Sequence, residues 1–396
     1  MNDPSNKTMH LPPLSCPPST SSSGAFIVEG PDDPYREVAA DPSAQEVILL
    51  LGESLNYEDG EPQNFIPIVF DFSWEAVTNG MINPTFTFRQ GETVYFRGVN
   101  AGVEPAAKLS IDDHVLVPLS SDSSYPLPGG GTEAESIEID TGARAEFSVT
   151  FDRPGTYSMR RAGWNMGISG PVCAIVFGPD LAGVDTCISF DKETIAATIV
   201  VTEEAVEPAT AEVSFAVAPY LDELAGKPSD KERTIGLDLT QELPLFQMPW
   251  DGTPNPAAAA FGINERLGNP HHNSGDIEAG TCEDWTVVSN PPGVAPHTFH
   301  AHSVPFLIKS IDGVEVEEPF WRDTYPVLRN ITAKVCFPPR DDVSYLNVHC
   351  HMPQHQDIGM VAYFTLTPGS GGDESASSIM GLATALGVIA LGWALL

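Results

Sequence analysis

One short segment reads His349-Cys350-His351, followed by His355 and Met360, and a second reads His297-Thr298-Phe299-His300-Ala301-His302. Together they hold six of the ten histidines of the chain, so imidazole is concentrated where a metal ion would need it. A thiolate, two imidazoles and a thioether form the ligand set of a blue-copper site, with the His2Cys donors in a plane and Met at a long axial distance. In an extended strand successive side chains alternate faces, so His349 and His351 point one way and Cys350 the other. The same parity puts His300 and His302 on one face and His297 on the opposite one. Cys350 can therefore hold one ion while its neighbours reach for different metal behind it. Zinc fits less well, because a structural zinc site needs four converging ligands, and these diverge and include one thiolate. His114 and the pair His271-His272 lie outside both segments and read as ordinary hydrogen-bonded histidines.

The residues resemble a family, the multicopper oxidases, and within it the laccase-like and ferroxidase-like members. HTFHAHSVPFLI is similar to that family's His-Pro-Phe-His-Leu-His segment, and HCHMPQHQDIGM to its closing His-Cys-His segment. Thr298 stands where the family usually has Pro and Ala301 where it usually has Leu, neither a ligand position. The resemblance implies that His297, Cys350, His355 and Met360 bind the type 1 copper, that His300 binds the type 2 copper, and that His302, His349 and His351 bind the type 3 pair. It also implies a donor oxidised one electron at a time at the type 1 copper. Cys350 then hands the electron through His349 and His351 to a trinuclear cluster that reduces dioxygen to water. The donor class, phenol-like or metal ion, stays open, and the alternative function is a type 1 copper electron-transfer protein without oxidase activity.

Further upstream, INPTFTFRQGETVYFRGVNAG, SIDDHVLVPLSSD and ARAEFSVTFDRPGTYSMR resemble the family's second cupredoxin domain, which binds no copper. GAFIVEGPDDPY resembles the end of the first domain. That first domain supplies two more His-x-His pairs in the family, and no such pair precedes His300 here. The expectation is a chain carrying the second and third domains, apparently lacking the first, with its trinuclear cluster half-liganded, so that this chain alone would turn over dioxygen poorly or be inactive as an oxidase.

The elements that must position these ligands read as β-structure. Phe86, Phe88, Val94, Phe96, Phe147, Val149 and Phe151 alternate at period two, the mark of half-buried strands, and 34 Gly and 36 Pro punctuate short extended runs. The expected fold class is all-β, two tandem Greek-key cupredoxin sandwiches. Residues 1–44 are read as an unassigned leader plus a remnant of the first domain, 45–180 as the copper-free domain, 181–230 as linker, 231–368 as the copper domain and 369–396 as spacer and tail.

A formal charge of −35, from 54 acidic against 19 basic residues, excludes nucleic acid as a partner because phosphate would be repelled. It reads as a solvated acidic surface. With Cys350 assigned to metal, Cys282 could pair with Cys336 and Cys173 with Cys187, leaving Cys16. Sequons at Asn6 and Asn330 suggest a glycoprotein in the secretory route. Small residues at 370–372, a polar spacer and the apolar run Ile379 to Leu396 have the layout of a glycosylphosphatidylinositol signal, with a tail-anchored span as the other reading. Met1 to Ser23 shows no apolar signal region. The expected location is the cell surface, membrane-attached through the C-terminus.

Overall fold

Strands that alternate apolar and polar side chains can only be stable when their apolar faces meet, and this chain does so twice. The computed structural model describes residues 7–10, 24–28, 33–55, 57–58, 61–62, 74–102, 106–122, 125–126, 131–163, 167–168, 188–189, 193–213, 215, 217–240, 260–290, 297–328, 330–357 and 359–369. The N-terminal sandwich packs a five-stranded sheet on a seven-stranded one, and the C-terminal sandwich packs a six-stranded sheet on a five-stranded one. Neighbouring strands are often distant in sequence, as where Ala44–Leu55 pairs in parallel with Thr93–Asn100 and Lys231–Thr240 with Cys282–Asn290. Parallel partners close in space need long crossovers between the sheets, which is the cupredoxin-like way of closing a sandwich.

Leu49, Phe88, Phe96, Phe147, Leu109 and Ile199 fill the N-terminal core, and Trp285, Phe299, Phe306, Phe364 and Val348 the C-terminal one. Each such side chain, fully withdrawn from water, contributes on the order of 1.5–3 kcal/mol. The expected half-burial of Thr93–Asn100 is corrected: Val94 through Asn100 are all buried. The other face of that strand is covered by Tyr35, Ala211 and Val213, with the Tyr95 hydroxyl donating to the Ala211 carbonyl at 2.7 Å.

The span 181–230, expected as linker, is also corrected in part. Glu193–Ala205 is a 13-residue strand that joins the five-stranded sheet, antiparallel to Gly155–Ala162 and parallel to Thr85–Gln90. Its apolar residues Ala197, Ile199 and Val201 alternate into the core, and the acidic residues that disguise it lie at its exposed end. Beyond it, the helix Pro219–Gly226 lays Leu221 against Leu307 and Trp321 of the C-terminal sandwich. Within the expected leader, Lys7–His10 pairs antiparallel with Ala25–Val28. Asn6, Cys16, Cys173, Cys187 and the tail lie outside the described residues. Among the described residues no helix is long and apolar enough to cross a membrane.

Cys282 and Cys336 face each other on paired strands of the C-terminal sandwich and form a disulfide, and Cys350 is free and buried.

Candidate metal centre

The strands His297–Ala301 and Ser344–Cys350 pair antiparallel, with Phe299 opposite Cys350 and His300 opposite His349. Directly opposed residues share a face, so one face carries Phe299 and Cys350 and the other His300 and His349. The face with Cys350 is the core of the C-terminal sandwich, where Phe299, Ala301, Val348 and Cys350 are buried together. The histidine face is turned toward the N-terminal sandwich, whose Gly142 lies against His351. Alternation along two paired strands thus produces two ligand groups, one on each side of the sheet.

In the core-side group the Nδ1 atoms of His297 and His355 lie 3.0 Å apart, and Cys350 Sγ lies 3.9 Å from the first and 3.5 Å from the second. Donors bound to one ion at about 2.0–2.3 Å, at trigonal angles, stand about 3.5 Å apart, so this spacing fits a shared ion. Met360 follows in the same loop, fully buried, its carbonyl accepting from the Cys350 amide at 3.1 Å. The short helix Pro353–Asp357 returns His355 to the strand end, its amide donating to the Met352 carbonyl. Phe261 closes the group from outside, its ring centroid 4.0 Å from that of His355 and 5.4 Å from that of His297.

Burial keeps this donor set ready for a cation. It holds His297 down to about 3 and His355 well below the usual imidazole range, so both rings are neutral at physiological pH. Burial pushes the Cys350 thiol up to about 12, opposed by the amides of Thr298 and Met352. The Thr298 amide donates to Sγ at 3.4 Å. A bound cation would supply the charge that makes this thiol a thiolate.

The other group comprises His300, His302 and His349, whose ligand atoms can all lie within 4.8 Å of one another. His349 Nδ1 donates to the Cys350 carbonyl at 2.9 Å, which leaves Nε2 bearing a lone pair, 2.9 Å from Nε2 of His302. His300 Nδ1 donates to the Asp323 carbonyl at 2.8 Å and lies 3.1 Å from the Thr324 hydroxyl, so its Nε2 is the free donor. A carbonyl behind the ring fixes a ligating histidine's tautomer and aim. His351 completes the patch beside them, its ring centroid 5.1 Å from that of His300 and 5.3 Å from that of His349. Burial lowers His300 to about 4, holds His349 well below the usual imidazole range, and lowers His302 as well. Soft thiolate with imidazoles on one side and imidazoles alone on the other is a donor set suited to copper.

His297, Cys350 and His355 thus come together in one place and His300, His302 and His349 in the other, with the His351 ring beside the second and Met360 buried in the loop next to the first. His114 stays apart, its Nδ1 2.8 Å from the Asp112 carbonyl and its ring edge-on to Tyr157, and His272 sits 3.1 Å from the Arg266 guanidinium. The sequence reading missed Phe261, Asp323 and two residues of the N-terminal sandwich. Arg144 grips the Asp323 carboxylate with both guanidinium nitrogens, at 3.0 and 2.5 Å, and Gly142 packs against the His351 ring. These residues are remote from the ligands in sequence, so no spacing could have pointed to them.

Known proteins share this arrangement of sandwiches. Residues 39–171 and 238–370 each match a family model described as multicopper oxidase. Among solved structures, a laccase-like multi-copper oxidase CueO from Ochrobactrum sp. is 19% identical, with a TM-score of 0.62 over 87% of this chain and 72% of that one. A multi-copper oxidase from Pediococcus acidilactici is 17% identical, with a TM-score of 0.65 over 94% and 70%. A metallo-oxidase from Campylobacter jejuni is 16% identical, with a TM-score of 0.56 over 92% and 80%. No curated protein matches the chain. With both sandwiches matched by models of one family and copper-type donors on both faces of one sheet, the chain belongs to the multicopper oxidases, copper-dependent oxidoreductases.

Proposed function

We propose that the protein oxidises a phenol-like or metal-ion donor one electron at a time and passes the electrons to dioxygen. In this reading His297, Cys350, His355 and Met360 hold the type 1 copper, His300 the type 2 copper, and His302, His349 and His351 the type 3 pair. The observation that carries it is the division of one tripeptide: Cys350 belongs to the core-side group while His349 belongs to the group behind the sheet. Copper, when bound, supplies a one-electron redox couple at each place.

The chain's own residues do the rest. Peptide adjacency gives charge a covalent route from the Cys350 sulfur to the His349 and His351 rings, and an insertion between them would break it. The His349 Nδ1 bond to the Cys350 carbonyl adds a second link. Phe261 and the buried Met360 exclude water from the sulfur side, which protects a thiolate from oxidation and keeps the local dielectric low.

The test is Cys350→Ser in the copper-loaded protein. A hydroxyl is a hard, rarely ionised ligand, so the intense visible absorbance should vanish. A persistent band would overturn the assignment. Oxygen uptake with a phenol and with ferrous ion, measured side by side, assigns the donor class. Absence of uptake with a blue band present would favour an electron-transfer protein.

For location, our reading is the extracellular surface. The Cys282–Cys336 disulfide fits an oxidising compartment, and Asn330 of the Asn-Ile-Thr sequon is exposed. Deleting Ile379 to Leu396 should release membrane-bound protein into the soluble fraction, and unchanged partitioning would refute attachment through the tail.

A further inference from the structure

We propose that Arg144, in the N-terminal sandwich, is a positioning residue for His300: through Asp323 it fixes which nitrogen of that ring faces the metal and where it points. The proposal rests on the reading of His300 as a copper ligand. It makes the N-terminal sandwich, which offers no ligand among the described residues, a working part of the metal site.

The connection can be followed atom by atom. Both terminal nitrogens of Arg144 donate to the two carboxylate oxygens of Asp323, the paired geometry that a guanidinium fork is shaped for. The same carboxylate accepts from the Thr324 hydroxyl at 2.8 Å, while the Asp323 carbonyl and that hydroxyl together face His300 Nδ1. With its hydrogen committed to the carboxylate, the Thr324 oxygen presents a lone pair to the ring. A carbonyl can only accept as well. Both neighbours therefore demand hydrogen on Nδ1 and leave the lone pair on Nε2.

The Asp323 carbonyl is itself held in direction. Asp122, buried beside it, accepts from the amides of Asp323 and Thr324 at 3.1 and 3.4 Å, and its own carbonyl accepts from Arg144 at 3.3 Å. Arg144 further donates to the Gly142 carbonyl at 3.0 Å, pinning the turn that lies against His351. One side chain thus references two imidazoles to the same turn.

An interface ion pair of purely structural value would stabilise the union of the sandwiches and leave the metal signature alone. Arg144→Gln and Arg144→Lys in the full chain separate these cases. Lysine retains the charge and one contact to the carboxylate but not the paired grip. Each variant is titrated with Cu(II) and followed by the blue absorbance and by the paramagnetic resonance of non-blue Cu(II). The blue site shares no residue with the clamp and should be unchanged. The glutamine variant should bind non-blue copper roughly tenfold or more weakly, with an altered hyperfine splitting, and the lysine variant should recover part of the affinity. In the copper-free protein the nitrogen-15 shifts of His300 should report hydrogen on Nδ1 in the parent and a tautomer mixture in Arg144→Gln.

Parental affinity, hyperfine splitting and tautomer in Arg144→Gln would overturn the proposal. A parent protein that binds blue copper but no non-blue copper would overturn the cluster reading itself, and the clamp with it.

Discussion

The Thr298 backbone amide donates to the Cys350 sulfur at 3.4 Å, from the residue that directly follows the ligand His297. Its carbonyl meanwhile accepts from the His351 amide at 2.6 Å, so one residue's backbone contacts both ligand groups. A hydrogen bond to a thiolate offsets part of its negative charge, and hydrogen bonding around the sulfur is one of the controls on a blue-copper potential.

Thr298→Pro removes that donor and nothing else from the backbone, since the preceding residue already lies in an extended strand, as proline requires. The bare sulfur then donates more strongly to the oxidised ion, and the potential should fall by about 60 mV, a factor of ten for one electron. Thr298→Val is the control. It keeps the amide and deletes a buried hydroxyl that has no partner among the described residues, so the potential should not move. Redox titration of the blue band checks both, and an unchanged potential in the proline variant would show that the amide does not tune the sulfur.

Gly142 adopts φ +80° with a would-be Cβ driven into the His351 ring, whereas Gly80 adopts φ +76° with open space around it. Both conformations disfavour a side chain, by roughly 1–2 kcal/mol. Gly80→Ala should show that cost alone. Gly142→Ala should add displacement of His351 and a loss of non-blue copper, with the blue band intact. Equal effects in the two variants, read as denaturation midpoints and copper content, would mean that the glycine contact does not place the ring.

The ligands were legible because their chemistry resides in residue type and their grouping in strand parity, both local properties. The two faces of His349-Cys350-His351 follow from alternation alone, and the core-forming strands around Phe96 and Phe147 from period two. Asp323 was not legible: it is one of 54 acidic residues, and what distinguishes it is a guanidinium that arrives from another sandwich. Phe261 resembles any apolar strand residue until the fold lays it on two imidazoles. The strand Glu193–Ala205 was hidden by the acidic residues at its exposed end, which gave a core element the composition of a linker.

Replacing Cys282 and Cys336 together by alanine should lower stability without touching the blue site, since Cys350 takes no part in the bond. The cross-link joins residues 54 apart, and the chain-entropy account of such a loop assigns it about 4 kcal/mol. The expected result is a lower denaturant midpoint with an unchanged visible spectrum. Loss of the blue band in a variant that still folds would show that these cysteines matter to the metal directly.

Acid should destabilise the copper-free protein through its buried imidazoles. Burial lowers His297 to about 3 and His300 to about 4, and it lowers His302, His349 and His355 too. The unfolded chain takes up protons on these rings below about 6.5, while the folded chain does not. Where the unfolded state binds more protons, stability rises with pH, so it is greatest above 6.5 and declines as the pH falls toward 4 and then 3. Each ring contributes a slope of about 1.4 kcal/mol per unit across its window. Asp122, Asp140, Glu146 and Asp357 work the other way, because burial raises all four and the folded state gains their protons first. Five imidazoles against these four carboxylates leave a smaller net loss on acidification. Urea midpoints of the copper-free chain at about pH 7 and pH 5 test this, and His355→Phe should flatten the dependence by about one proton's worth. A midpoint that holds steady between those two values would mean that the rings are solvated in the absence of metal and that the ligand groups are not preformed.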